Sequence, residues 1–176
     1  MAEGEKAVCF SPFFTKERGS RVGKIISIIN NITRLVIIAL MGVMVVAVFL
    51  QVLFRFFLDQ PLAWTEELAR YLLVWMTFLG SAYAMSIKAH IGTEYIQKFL
   101  SPTVNKIVLS VAALLSVLFF IVMIQQGYLL AMRSMTQTSP GLLLPMGVVY
   151  MVIPISGVLL IMNVLHVTWK DITGKE

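Results

Sequence analysis

The sequence predicts an all-α integral membrane protein, with four transmembrane helices plus one short amphipathic interfacial helix. Three observations predict it. Apolar residues make up 59% of the chain and charged residues only 13%, where a soluble domain carries about a quarter charged residues. Mean hydropathy is +0.87, so polar groups are too few to coat a globule. The charges that are present fall between long uncharged runs, which is the pattern of segments alternating between lipid and water.

The first uncharged run covers 35–54, with Gly42 and Gln51 as its only slightly polar members. Its length suffices to cross about 30 Å of hydrocarbon at about 1.5 Å per residue. The run is too long for a signal-peptide core and no small-residue cleavage site follows it, so an uncleaved anchor is expected. The second run, 71–87, spans if its helix begins near Thr65 and the Glu66–Arg70 turn lies among headgroups. The third, 107–132, is longer than a crossing requires and should tilt or project. The fourth, 141–167, contains Pro145, suited to a helix start, and Pro154, which should kink it. These runs give spans of about 33–58, 65–87, 104–133 and 143–168, making a membrane domain at 32–168. A basic N-terminal segment, 1–31, precedes it and a short tail, 169–176, follows.

Between the second and third runs, 89–102 reads "AHIGTEYIQKFLSP". Ile91, Tyr95, Phe99 and Leu100 share one helical face, while His90, Glu94, Lys98 and Ser101 fall largely on the other. Glu94 and Lys98 form an i,i+4 pair in the favoured order. The stretch is too short and polar to span, so an interfacial helix over about 90–101 is expected.

Orientation follows from lysine and arginine. Lys6, Lys16, Arg18, Arg21, Lys24, Arg34, Lys88, Lys98, Lys106, Lys170 and Lys175 share one side of a four-span protein; only Arg55, Arg70 and Arg133 fall on the other. The positive-inside rule then puts both termini and the interfacial helix in the cytoplasm.

Composition and motifs exclude several classes of function. Cys9 is the sole cysteine, so no intrachain disulfide or cysteine-built metal site is available. No Asp or Glu lies between Glu94 and Asp171, and the first two uncharged runs hold none, which argues against a self-contained carrier with its own proton or cation relay. No nucleotide loop, zinc spacing or nucleophile elbow is present. Ser81, Ser110 and Ser116 read as small packing residues, and Gly80 to Ala84 as a weak small-residue pattern open to helix approach. The chain is expected to be no enzyme, to hold no cofactor and to bind no nucleic acid. The redox alternative, a membrane anchor with haem held by two histidines, has only His90 and His166 to draw on, both near the span ends.

The candidate site is the outer mouth of the second span. Thr65 is placed to cap the helix, Glu66 and Glu67 suit the positive end of its dipole, and Arg70 lies within i+4 and i+3 reach of them. Trp64 and Tyr71 suit the aromatic belt. Arg55 and Asp59 lie across a short turn. Arg55 either snorkels to headgroups or pairs with Glu66 or Glu67. Simple anchoring explains much of this set. Two adjacent carboxylates with an arginine exceed what capping requires, so bracing of the hairpin or contact with an outside partner is the functional reading. Arg133, at the outer end of the third span, belongs with the same group.

The order "QVLFRFFLDQPLAWTEELARYLLVWMTFLGSAYAMSIKAHIGTEYI", then "SPGLLLPMGVVYMVIPISG", resembles the small membrane subunit of tripartite ATP-independent periplasmic (TRAP) transporters. The matching features are an aromatic–Arg pair closing the first span, Trp-x-Glu-Glu-x-x-Arg opening the second, Gly and His in the turn region, and a proline-containing fourth span. The resemblance implies a three-part importer of small organic acids, C4-dicarboxylates and sialic acids among them, in the bacterial inner membrane. Its partners would be a periplasmic substrate-binding protein, a large multi-span membrane subunit coupled to sodium, and the lipid bilayer. This chain would scaffold the large subunit without carrying substrate.

Overall fold

A computed structural model describes residues 21–57, 62–87 and 102–173. Asp59 and the predicted interfacial helix, with His90, Ile91, Glu94, Tyr95, Lys98 and Phe99, lie outside the described residues. Five helices account for nearly all of the described chain: α1 (Arg21–Phe57), α2 (Ala63–Ser86), α3 (Pro102–Arg133), α4 (Met146–Tyr150) and α5 (Val152–Thr173). No strand forms among the described residues beyond a single bridge between Thr138 and Pro145.

Three stretches are long and apolar enough to cross a membrane: Gly23–Phe57, Val104–Arg133 and Met146–Ile172. At about 1.5 Å per residue, α1 (37 residues) and α3 (32 residues) measure roughly 55 and 48 Å, well beyond about 30 Å of hydrocarbon. Helix α2 has ample length at 24 residues but is less apolar, with Glu66, Glu67 and Arg70 in its first turns. Helix α1 starts at Arg21, well before its uncharged run, and α5 continues to Thr173.

The long helices pack as a row in the order α1, α2, α5, α3. Helix α2 lies along both α1 and α5, and α5 lies along α3. Helices α1 and α3 stand at opposite ends of the row, and each is only 6% buried over its most apolar stretch. The inner helices carry the core: Val152, Ser156, Leu160, Asn163 and Val164 form one buried stripe on α5, matched by Leu79 and Ala82 on α2.

Close packing of α3 on α5 rests on two glycines. A Cβ at Gly157 would stand 2.5 Å from Ile124 Cγ1, and one at Gly127 would stand 2.6 Å from Ile153 Cγ2. Each glycine thus admits a bulky side chain from the opposite helix, the small-residue contact expected where lipid supplies no hydrophobic drive between helices.

The fourth apolar stretch is not one straight helix. Pro145 takes an extended conformation (φ −62°, ψ 123°) and caps α4. The helix breaks at Met151 and resumes as α5, with Pro154 in its first turn. Proline has no N–H to donate and its ring crowds the preceding turn. The ladder is carried across the break by Met151 N–H to the Gly147 carbonyl (3.1 Å) and Ile155 N–H to the Met151 carbonyl (3.3 Å).

A polar cluster joins three helices toward the ends of their axes opposite the candidate site. Asn163 on α5 is 1% exposed. Its amide donates to the Ala82 carbonyl on α2 (2.8 Å) and to Asn30 Oδ1 on α1 (3.1 Å), and Asn30 donates back to Asn163 Oδ1 (2.9 Å).

Candidate functional site

Leu62, not Thr65, occupies the cap position of α2, and no side chain caps it. Thr65 lies inside the first turn, fully buried, with its hydroxyl donating to the Leu62 carbonyl at 2.7 Å. The expected threonine cap is therefore replaced by a helix that starts two residues earlier, with the threonine bonding back to the cap residue's carbonyl.

That early start sets the direction of the two carboxylates. Neighbouring residues on a helix point about 100° apart. Glu66 faces outward and accepts from Arg70 Nη2 at 3.0 Å, in an i,i+4 pair whose side chains are 63% and 68% exposed. Glu67 faces inward, 9% exposed. One of its oxygens accepts from the Tyr71 hydroxyl, one turn along α2. The other accepts from two successive backbone N–H groups, Gly141 (2.8 Å) and Leu142 (2.9 Å). An acceptor of several donors is the role of an ionised carboxylate, and such charge-assisted bonds are the stronger kind.

The segment that Glu67 grips is the loop between α3 and α4. It is bonded to itself at both ends: Met146 N–H to the Gln137 carbonyl (2.8 Å), Ser139 N–H to the Leu144 carbonyl (2.9 Å) and Leu143 N–H to the Ser139 carbonyl (3.1 Å). Ser139, 1% exposed, lies alongside both Glu67 and Tyr71. Leu143 adopts φ 54°, a left-handed conformation uncommon for leucine, and its side chain is 73% exposed. Gly141 makes the clasp possible, since a Cβ there would fall 2.5 Å from Glu67 Oε2 and 3.4 Å from the Trp64 Cα. The Tyr71 hydroxyl also touches Met146 Sδ (3.2 Å), joining α2 to the start of α4.

Among the described residues the expected ionisable cluster is thus divided. Glu66 and Arg70 form one surface pair, and Glu67 leaves them for the loop, so the Glu67–Arg70 pairing is replaced by Glu67–Tyr71. Arg55 and Arg133 are exposed in the last turns of α1 and α3 and form no ion pair among the described residues. Trp64 is 39% exposed beside the clasp. The loop partners Ser139, Gly141 and Leu142 were not expected at this site. The visible signal was the "SPG" turn, a composition that reverses a chain, but nothing in sequence sets it beside a residue 74 positions away. Among the described residues, no three His, Cys, Asp or Glu side chains converge as metal ligands would.

A clasp at one end, a polar knot at the other and two nearly unburied outer helices describe a membrane element. Comparison with known proteins places that element in a family. The family model described as tripartite ATP-independent periplasmic transporters, DctQ component, matches residues 44–174, well over half of the chain.

The chain belongs to the DctQ family of TRAP transporter subunits.

A Haemophilus influenzae protein named as a TRAP transporter small permease is 25% identical over 131 residues, 74% of this chain and 81% of that protein. The C4-dicarboxylate TRAP transporter small permease protein DctQ of Rhodobacter capsulatus is 30% identical over 110 residues, 61% of this chain and 48% of its own length. The sialic acid TRAP transporter small permease protein SiaQ of Vibrio cholerae is 34% identical over 68 residues, 39% of each. The DctQ match begins at residue 44, inside α1, and takes in the Glu67 clasp, the α3–α4 loop and the whole of α5. DctQ-family chains are transporter permease subunits, not enzymes, and this one is a membrane protein by family and by its apolar helices.

Proposed function

We propose that this chain is the small permease subunit of a sodium-coupled, binding-protein-dependent importer of a small organic acid, of the C4-dicarboxylate or sialic acid class. It scaffolds a large multi-span membrane subunit and carries no substrate itself. The observation that carries this reading is the open row: α1 and α3 are 6% buried over their apolar stretches, so most of their side-chain surface awaits lipid or another membrane protein. The family match and the printed substrates of the relatives support the substrate class.

In this reading α2 is the fourth span, with its Glu66–Arg70 turn at the outer headgroups and the interfacial helix at about 90–101 on the inner side. The membrane domain runs 32–168, between a basic N-terminal segment at 1–31 and a tail at 169–176, with both termini in the cytoplasm of a bacterium and the spans in its inner membrane. Among the described residues, the Lys and Arg balance of Arg21, Lys24, Arg34, Lys106 and Lys170 against Arg55, Arg70 and Arg133 supports that orientation. The exposed outer groups Arg55, Trp64, Glu66, Arg70 and Arg133 face the periplasm, where a substrate-binding protein docks, and the clasped loop keeps that rim fixed. The redox-anchor alternative loses ground to the family match.

Deleting this gene while retaining the large subunit tests the proposal. Sodium-driven uptake should disappear. Normal uptake in the deletion strain would overturn it. A reporter fused after Glu176 should be active only in the cytoplasm.

A further inference from the structure

Helix α3 closes one end of the row and is 6% buried over its most apolar stretch. Two adjacent amides, Gln125 and Gln126, interrupt its uncharged run, and both are exposed. Among the described residues neither has a hydrogen-bond partner. Exposed hydroxyls on the long helices satisfy themselves instead. Thr77 donates to the Leu73 carbonyl, Ser81 to that of Phe78 and Ser110 to that of Lys106, each at 2.8 Å. The two glutamines make no such bond back to their own helix.

Their depth sets them in hydrocarbon. They precede Arg133 by eight and seven positions, about 10 to 12 Å along the helix. The neighbouring Ile124 packs against Gly157, which lies close to midway between Met146 and Lys170. Side chains on a helix lean toward its N-terminus, so both glutamines lean away from the nearer Arg133 end and deeper into the lipid. Snorkelling to the near surface works against that lean. An amide left alone there carries a free-energy cost that a hydrogen bond across to another helix recovers. Helix α1 differs: its uncharged run, 35–54, holds one amide, Gln51, partly buried and one turn from Arg55 in the last turn. The rest of that run is apolar and suits lipid.

We propose that the outward face of α3 seats in a groove between two adjacent membrane helices of the large subunit, which meet Gln125 and Gln126 with hydrogen-bonding groups at that depth. The proposal rests on the scaffold reading and names the face that reading leaves open. Successive residues on a helix point about 100° apart, so a single facing helix meets one amide and leaves the other in lipid. Val122 and Leu129, 54% and 40% exposed, fall between the two amides around the helix and form the ridge that enters the groove. This end of the row is one helix wide. A second copy set end to end therefore offers one helix, whereas a multi-span protein offers the groove. The outward face of α1 is left to lipid.

Binding of the full chain to its large subunit in mild detergent tests this, with the melt of each variant as the control for folding. Gln125→Leu combined with Gln126→Leu should weaken the complex about eight-fold, the equivalent of two interhelical hydrogen bonds at about 0.6 kcal/mol each. That variant should melt no lower than the wild type, since leucine suits lipid. Val122→Trp, on the ridge, should block assembly, while Val46→Trp, at a position 59% exposed on α1, should leave it intact. If Val122→Trp does not fold, the leucine pair decides alone. Unaltered affinity of the folded leucine pair, or an equal loss with Val46→Trp, would overturn the proposal and leave the scaffold reading standing. A wild type that captures no large subunit would overturn both. Self-association of the wild type that the leucine pair abolishes would reassign the face to a second copy.

Discussion

Replacing Asn163 by leucine removes three hydrogen bonds at once, one to Ala82 and two shared with Asn30. Interhelical hydrogen bonds in membrane proteins average about 0.6 kcal/mol each and reach about 1.7 at most. Asn163→Leu should therefore cost about 2 kcal/mol, since leucine gains little among apolar neighbours where lipid is the alternative. Asn30→Ala removes only the shared pair and leaves Asn163 on Ala82, for about 1 kcal/mol. Asn30 is half-buried, so when it is left alone its amide turns toward water and escapes the full burial penalty. The double variant should be no worse than Asn163→Leu, because the shared bonds are lost only once. The coupling energy is then about 1 kcal/mol, against the roughly 0.3–0.5 kcal/mol within which independent sites add. Unfolding in mixed micelles, followed by helical circular dichroism, measures all four corners of the cycle. Strict additivity would refute the knot as a tie between α1 and α5.

Other changes separate the parts of the fold. Glu67→Ala should free the α3–α4 loop, read as amide exchange across 137–145 faster by about an order of magnitude, with Glu67→Gln intermediate; unchanged exchange would mean the loop holds itself. Gly141→Ala should release the same amides with Glu67 still present, because its Cβ would displace the Glu67 carboxylate. Arg70→Ala should shift stability by no more than about 0.5 kcal/mol, as both partners of the Glu66 pair are mostly exposed; a larger loss would reveal a partner for Arg70 beyond Glu66. Gly157→Ala should destabilise by about 1–3 kcal/mol through overpacking against Ile124. Gly42→Ala, with nothing within 4 Å, should stabilise the isolated chain by up to about 1 kcal/mol through helix propensity, and the opposite ranking would refute the glycine packing of α3 on α5.

Much of the architecture could be read from residue order, because an uncharged run of sufficient length has few other stable fates than a membrane helix. The runs at 35–54 and 107–132 each fall within one helix, while that at 141–167 is helical only from Met146, with a break at Met151; Pro145 and Pro154 mark where its helix starts and where its ladder is interrupted. Helix limits were less legible: α1 begins at Arg21 because a polar turn can continue a helix into the headgroups at little cost, and no proline or glycine pair stops it. At the candidate site the i,i+4 logic found Glu66–Arg70. The same spacing joins Glu67 to Tyr71, but charge alone suggested Arg70 for both acids.

What the sequence determined by itself is the class of protein: an all-helical membrane chain with apolar stretches long enough to cross lipid. Those properties are local, set by transfer free energy and helical period along a continuous stretch of chain. What only the tertiary structure decided is which residues meet. Glu67 finds backbone amides 74 and 75 positions on, and Asn30 finds Asn163 across 133. Both meetings depend on the α1–α2–α5–α3 order of the row, and the Glu67 clasp also on Gly141, which lets the loop backbone come close. An isolated carboxylate or amide looks the same in sequence whether it faces water or a neighbour; the rotation and register of packed helices make that choice.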